Sequence, residues 1–161
     1  SIEVATYELA ARLSDPSPKT ALAGRFSTPY VVAATLVNNS AGPEIFTQEM
    51  LANEEVLKIA SKVKVRENEG FTAMTPAKRP AQVILHFDDG RKKEKTVYGS
   101  KGDPDQPMSA HELESKFHSL CGPRLGEERT QQAWNELGGL DKSKNLDLLL
   151  EKLMAKKDDL G

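Results

Sequence analysis

Hydrophobic positions change their spacing along the chain, and each change marks an element. Near the start, Val4, Tyr7, Leu9 and Leu13 stand among polar residues, a spacing that admits a strand. Ala5, Ala10, Ala11 and Leu13 in the same stretch also admit a helix. Residues 14–20, Ser-Asp-Pro-Ser-Pro-Lys-Thr, read as a loop. The longest apolar run, residues 31–37, is broken only by Thr35 and follows Phe26-Ser27-Thr28-Pro29-Tyr30. Ser27 is of N-cap type, and Pro29 falls in the first turn, where a missing N–H costs little. The valines alone would suit a strand. The cap, the proline and Ala33-Ala34 favour a buried helix ending near Asn38-Asn39 and Gly42. A second helix is expected over residues 53–61, with Leu57, Ile59 and Ala60 as its apolar positions.

The pattern then turns to strict alternation. Val63 and Val65 lie between Lys62, Lys64 and Arg66, as in a half-buried strand. Residues 67–80 contain Gly70, Pro76 and Pro80 and read as a loop. Val83, Leu85 and Phe87 alternate with Gln82, Ile84 and His86, and Asp89-Gly90 predicts a hairpin into a return strand over residues 92–98. Three strands close in sequence, preceded by a helical pair, predict a small α/β layer with an antiparallel sheet.

After Gly99, Gly102, Pro104 and Pro107 the spacing becomes helical. Ser109-Ala110-His111-Glu112 has the form of a capping box. Leu113, Phe117 and Leu120 mark the expected buried face of a helix ending near Gly122-Pro123. A further helix over residues 126–137 carries Trp134 and Leu137 and is closed by Gly138-Gly139. A last helix over residues 143–156 carries Leu146, Leu149, Leu150 and Leu153. The fold class expected is therefore α+β: a small domain with an antiparallel sheet and packed helices, residues 1–105, then an all-helical segment, residues 106–161. That segment holds more apolar face than three short helices bury among themselves.

Composition narrows the options. The 161 residues are 38% hydrophobic and 29% charged, which fits a folded chain that needs no covalent staple. A single cysteine, Cys121, excludes an intrachain disulfide and a cysteine metal cluster, and a reducing compartment fits. Residues 1–80 hold nine basic and nine acidic side chains, leaving 13 and 15 for residues 81–161. Neither half is basic, so nucleic acid is a poor partner. The dense patch Arg91-Lys92-Lys93 with Lys95 reads as an edge strand whose lysines discourage strand-to-strand association. No apolar run is long enough for a membrane span, and the first residues do not have the form of a signal peptide. A cytoplasmic protein with no membrane contact is expected. The chain does not begin with Met, which leaves open that residues lie upstream.

Few side chains are placed for chemistry. His111 and His118 are seven residues apart, roughly 10.5 Å along a helix axis, too far to share one metal ion. His86 lies in a separate strand, and each histidine reads as a surface or satisfied core residue. Cys121 follows His118 by three, so the two can share a helix face, but no third group orients them. No metal site is expected, and no Gly-rich phosphate loop is present. The most suggestive segment is Arg25-Phe26-Ser27-Thr28-Pro29-Tyr30. Free amides and the positive end of a helix starting here would favour a carboxylate. Arg25 could add a bidentate contact, and the hydroxyls of Ser27 and Tyr30 could add hydrogen bonds. The alternative is an ordinary capped helix with Tyr30 as a partly buried anchor.

The same segment carries a resemblance. Ala23-Gly24-Arg25-Phe26-Ser27-Thr28-Pro29-Tyr30-Val31-Val32-Ala33 is similar to the Arg/Lys-Phe-Ser-x-x-Tyr-x-x-Ala pattern of the MmgE/PrpD family. Tyr98-Gly99-Ser100-Lys101-Gly102-Asp103-Pro104-Asp105-Gln106-Pro107-Met108-Ser109, followed by Glu112-Leu113 and Lys116-Phe117, resembles a second segment of that family. Asp88-Asp89-Gly90 falls where the family has a turn in its lid sheet. The likeness runs from about residue 4 to about residue 155. The family includes 2-methylcitrate dehydratase, cis-aconitate decarboxylase and iminodisuccinate epimerase.

The resemblance implies a large helical domain with a smaller α/β lid inserted into it. Residues 1–105 would be the lid, and the helices after residue 106 would return to the large domain. The family's N-terminal helical region, with its catalytic histidine and lysine side chains, has no counterpart in this sequence. It would be supplied in cis or in trans, and the full-length protein would be a homodimer. The chemistry implied is proton abstraction alpha to a carboxylate of a small di- or tricarboxylic acid, without a metal or organic cofactor, with dehydration placed first. Tyr30 would be a catalytic donor facing the pocket, and Arg25 and Ser27 would bind substrate at the helix entrance.

Overall fold

Both alternatives at the N-terminus are realised, one after the other. In the computed structural model, which describes residues 1–143 and 145–154, strand β1 (Ile2–Thr6) passes at once into the short helix α1 (Glu8–Ala11). Thr20 caps α2 (Ala21–Arg25), a five-residue helix that no periodicity signals. Ser27 caps α3 (Thr28–Asn38) as expected: its Oγ accepts from the Tyr30 amide at 3.0 Å, and Pro29 sits in the first turn. Asn39 ends the helix in the left-handed region, at φ 54°. A 3-10 turn (Pro43–Phe46), α4 (Gln48–Leu51) and α5 (Glu54–Ala60) follow, the last two capped by Thr47 and Asn53. Tyr30, Ala33 and Ala34 lie at helical spacing on one face of α3 and pack with Ile45, Leu51, Val56 and Ala60 in one buried cluster.

One carboxylate holds the loop after α3. Glu44 Oε1 accepts from Ser40 Oγ at 2.7 Å, Asn38 Nδ2 at 3.1 Å and the Gly42 amide at 3.2 Å. The Ser40 hydroxyl, aided by the backbone amides of Glu44 and Gly42 and by Asn38, holds the Glu44 carboxyl below the usual range. A carboxyl depressed in the folded state stabilises above its unfolded pKa, and that contribution is lost as pH falls through the folded value. The Gly42 amide resonance should therefore shift as pH falls below about 4, the unperturbed range for Glu, and this step should vanish in Glu44→Gln. A Gly42 signal equally flat in both proteins would contradict the assignment.

Strands β2 (Val63–Glu67), β3 (Ala81–His86) and β4 (Lys92–Val97) complete a sheet of order β2-β1-β3-β4, and the short helix α6 (Glu69–Thr72) interrupts the expected loop before β3. β3 is antiparallel to both β1 and β4, and Gly90 makes the hairpin turn at φ 84°. β1 and β2 instead pair in parallel, Ile2 opposite Val63, so the sheet is mixed rather than wholly antiparallel. The cause is the connection: α2 to α5 lie between these strands and form the crossover that a parallel pair requires. Val32 of α3 and Ile59 of α5 pack on the face formed by Ile2, Val4, Val63, Val83 and Leu85. β4 is an exposed edge carrying Lys92, Lys93 and Lys95, which matches the reading of the basic patch.

The chain divides into two compact units, Ser1–Gln106 and one beginning at Pro107. The second holds α7 (Ala110–Leu125), α8 (Glu127–Gly138), a 3-10 turn (Leu140–Lys142) and α9 (Asp147–Leu153). The capping box forms: Ser109 Oγ accepts from the Glu112 amide at 3.3 Å, and the Glu112 carboxylate accepts from the Ser109 amide at 2.8 Å. α7 continues through Pro123 to Leu125 rather than ending at Gly122-Pro123. Proline disfavours helix at the residue before it largely through that residue's Cβ, and Gly122 has none. Gly126, at φ 76°, ends α7.

Phe117 packs on Trp134 at 5.4 Å between ring centroids, and Thr130, Ala133 and Leu149 are buried. Leu113 and Leu120, expected in the core, are each 47% exposed. Leu146, Leu148 and Leu150 are exposed as well, so the helical unit does leave much of its apolar face unburied. Lys144 and residues 155–156 of the expected last helix lie outside the described residues.

Candidate functional site

The head of α3 is built from three successive short-range decisions. Gly24 lets α2 lie close on the core: a Cβ there would stand 3.3 Å from both Leu51 Cδ2 and Tyr30 Cε1 and 3.4 Å from Phe46 Cδ1. Arg25, the next residue, is exposed, and its guanidinium lies 5.0 Å over the Phe46 ring. It forms no ion pair among the described residues. Ser27 then turns the chain into α3. Its side chain is 1% exposed, accepts from the Tyr30 amide and donates to the Asp15 carbonyl.

Arg25 and Ser27 come together on one shallow pocket of about 220 Å³, shared with Leu13, Thr28, Val31 and Val32. The helix end itself offers less than its sequence suggests. The Thr28 amide donates to the Leu13 carbonyl at 2.9 Å, the Tyr30 amide to Ser27 Oγ, and the Val31 amide to the Ser27 carbonyl at 3.0 Å. Pro29 has no N–H. The expected cradle of free amides is therefore filled from within the chain. The guanidinium of Arg25 is the group left to meet an anion.

Tyr30 takes a different direction from the one expected. It has no exposed surface, because it shares the inward face of α3 with Ala33 and Ala34. Its hydroxyl donates to the Ile45 carbonyl, and its ring lies 6.3 Å from that of Phe46, tilted by 42°. Burial pushes the phenol pKa up, so at neutral pH Tyr30 is a proton donor. The structure thus links Tyr30 to Arg25 through the Phe46 ring and does not place it on the pocket that Arg25 and Ser27 line.

A second cavity, of about 400 Å³, was not foreseen in the sequence. Lys78, Arg79, Tyr98, Gly99, Asp103 and Gln106 are among its lining residues. It forms because Ala81 pairs with Val97, so the segments that precede β3 and follow β4 leave the sheet side by side. The signals that could have found it are the basic pair just before Pro80 and the Tyr-Gly step at the end of the hairpin.

The model of the MmgE/PrpD C-terminal domain matches residues 1–138, a span that contains the pocket at the head of α3, the hairpin and the second cavity. The chain belongs to the MmgE/PrpD family. Among curated proteins it is 26% identical over 143 residues to the cis-aconitate decarboxylase of Aspergillus terreus, covering 88% of this chain and 29% of that protein. It is 26% identical over 138 residues to the cis-aconitate decarboxylase-like protein oryM of Aspergillus oryzae, covering 83% of this chain and 27% of that protein. The chain therefore spans under a third of the length of these relatives.

Within this MmgE/PrpD C-terminal domain, His86 shares a unit with the pocket that Arg25 and Ser27 line but is not among its lining residues. His86 Nε2 lies 3.2 Å from Glu3 Oε1 on the sheet, with Arg66 at 3.8 Å from the same carboxylate. Among the described residues, His118 Nε2 is buried without a hydrogen-bond partner. Among the described residues, no three or more His, Cys, Asp or Glu side chains group as a metal site, and no helix is long and apolar enough to cross a membrane.

Proposed function

We propose that the complete protein containing this chain is an enzyme acting on a small di- or tricarboxylic acid by proton transfer alpha to a carboxylate. The observation that carries this reading is the family match over residues 1–138, which includes an exposed guanidinium without an ion-pair partner at Arg25. Decarboxylation is the reaction we favour, because both relatives described above bear that name or a likeness to it. Dehydration, placed first by the resemblance alone, and epimerisation are the alternatives within the family. In this reading residues 1–105 form the lid and residues 106–161 the helices that return to the large domain. The exposed leucines of the second unit support such a return.

The chemistry needs a base for the proton and a cation for the substrate carboxylate. Arg25 supplies the cation. Ser27 fixes the start of α3 and, through it, the pocket wall. Tyr30 serves as a protonated donor, and to reach substrate it must exchange the Ile45 carbonyl for a substrate oxygen. Among the described residues no histidine or lysine lines the pocket of Arg25, and in this reading the base comes from the part of the protein outside this chain. The reading needs no metal or organic cofactor and takes the complete enzyme as a homodimer.

The burial of Tyr30 favours a second reading, a binding module that keeps the lid fold without catalysis. Turnover of cis-aconitate, 2-methylcitrate and iminodisuccinate by the complete protein separates the two. Carbon dioxide release from cis-aconitate supports the first, and no change in any of the three acids supports the second.

A further inference from the structure

The pocket at the head of α3 sets a single cation among apolar walls, and that combination narrows what fits. Its volume is about 220 Å³. Sites that enclose a whole small molecule run to roughly 300–1,000 Å³. This one therefore receives one end of a substrate. Arg25 is the charged residue of its lining, and among the described residues no Asp or Glu lines it to compete for the guanidinium. Asp15, whose carbonyl takes the Ser27 hydroxyl, has its carboxylate on the Ser17 amide at 2.9 Å. The Ser27 hydroxyl and the amides of Thr28, Tyr30 and Val31 are all paired within the chain. A carboxylate entering here meets one guanidinium, with the Thr28 hydroxyl beside it. A second carboxylate brought in with it would lose its water and find no second cation.

The rest of the wall is Leu13, Val31 and Val32. The two valines ride on α3, and their branched side chains are stiff. Leu13 comes from outside the helix, in the turn after α1, and its backbone is pinned on both sides. Its amide donates to the Ala10 carbonyl at 3.1 Å, and its carbonyl accepts the Thr28 amide at 2.9 Å. The half-buried leucine side chain therefore stays at the pocket instead of moving with the loop that follows. Apolar surface at this place rewards an alkyl carbon beside the bound carboxylate, and the length of residue 13 decides how large that carbon group can be.

We propose that this pocket is a subsite for one carboxylate and the alkyl carbon next to it, and that Leu13 sets the size of that alkyl group. The inference rests on the substrate-binding role given to Arg25. Any further carboxylate of the substrate is then held by the part of the protein outside this chain. The test titrates propionate, isobutyrate, pivalate and succinate into the isotope-labelled 161-residue chain at constant ionic strength, following methyl and amide signals by NMR. Isobutyrate should give saturable shifts at Leu13, Val31 and Val32 and bind about threefold more tightly than propionate, as one more buried methyl group gives. Pivalate and succinate should both bind more weakly than isobutyrate. Leu13→Ala should reverse the order of isobutyrate and pivalate, and Leu13→Phe, which fills space instead of emptying it, should put propionate first. Arg25→Ala should weaken every acid about tenfold or more. Binding unchanged in Arg25→Ala would overturn the role of Arg25 and this subsite with it. Weakening in Arg25→Ala with the order of acids unchanged in both Leu13 variants would overturn the subsite alone. Non-saturating shifts, or succinate binding more tightly than isobutyrate, would overturn it as well.

Discussion

Tyr30→Ala should cost the chain about 3–5 kcal/mol of folding stability, the range for removing a buried aromatic side chain. Tyr30 is among the largest fully buried side chains, and its ring is central to the cluster of Ala33, Ala34, Ile45, Leu51, Val56 and Ala60. A loss of that size is a large fraction of the roughly 5–15 kcal/mol that holds a typical domain folded. α2 runs close beside this ring, since a Cβ at Gly24 would stand only 3.3 Å from Tyr30 Cε1. Tyr30→Phe keeps the ring and leaves the Ile45 carbonyl without its donor, which should cost about 1–3 kcal/mol. Urea unfolding of the three chains checks both values. If Tyr30→Ala matched the parent, the buried placement of Tyr30 would be wrong.

Arg25→Ala should act on turnover and hardly on folding. Its guanidinium is exposed and lies on Phe46, so its removal should cost only about 0.5–1 kcal/mol of stability. In the complete protein, loss of a charge-assisted contact to a substrate carboxylate is worth about 1.5–3 kcal/mol, or roughly 10- to 100-fold in kcat/KM. Arg25→Lys should recover only part of this, because an ammonium cannot make the planar two-point contact. Steady-state kinetics beside thermal melting separates the outcomes. Unchanged kcat/KM with a lowered melting temperature would leave Arg25 a packing residue.

The sequence made the locally determined parts of this molecule legible. The cap at Ser27, the capping box at Ser109 and Glu112, the Asp89-Gly90 turn and the strand β3 each act through neighbours a few residues away, and each formed, although Ile84 rather than Val83 or Leu85 is the buried residue of β3. What escaped depended on distant partners. The parallel pairing of β1 with β2 follows from a helical crossover whose length says nothing of its path. The amide of Thr28 looks free until the Leu13 carbonyl is brought to it by the loop before α2. The resemblance implied a Tyr30 facing a pocket while the residues also admitted a partly buried anchor, and its spacing to Ala33 and Ala34 places it fully inside. Lys78 and Arg79 gain meaning only from the register that sets them beside Tyr98. Thus α3 was legible as an element, while the full burial of Tyr30 and Ser27 beside an exposed Arg25 was not.

The measurement closest to the central claim is carbon dioxide release from cis-aconitate by the 161-residue chain alone and by the complete protein, assayed side by side. The complete protein should turn over the acid, and the chain alone should not, because the pocket of Arg25 carries no base. Turnover by the chain alone would contradict the claim that this MmgE/PrpD C-terminal domain holds only part of an active site.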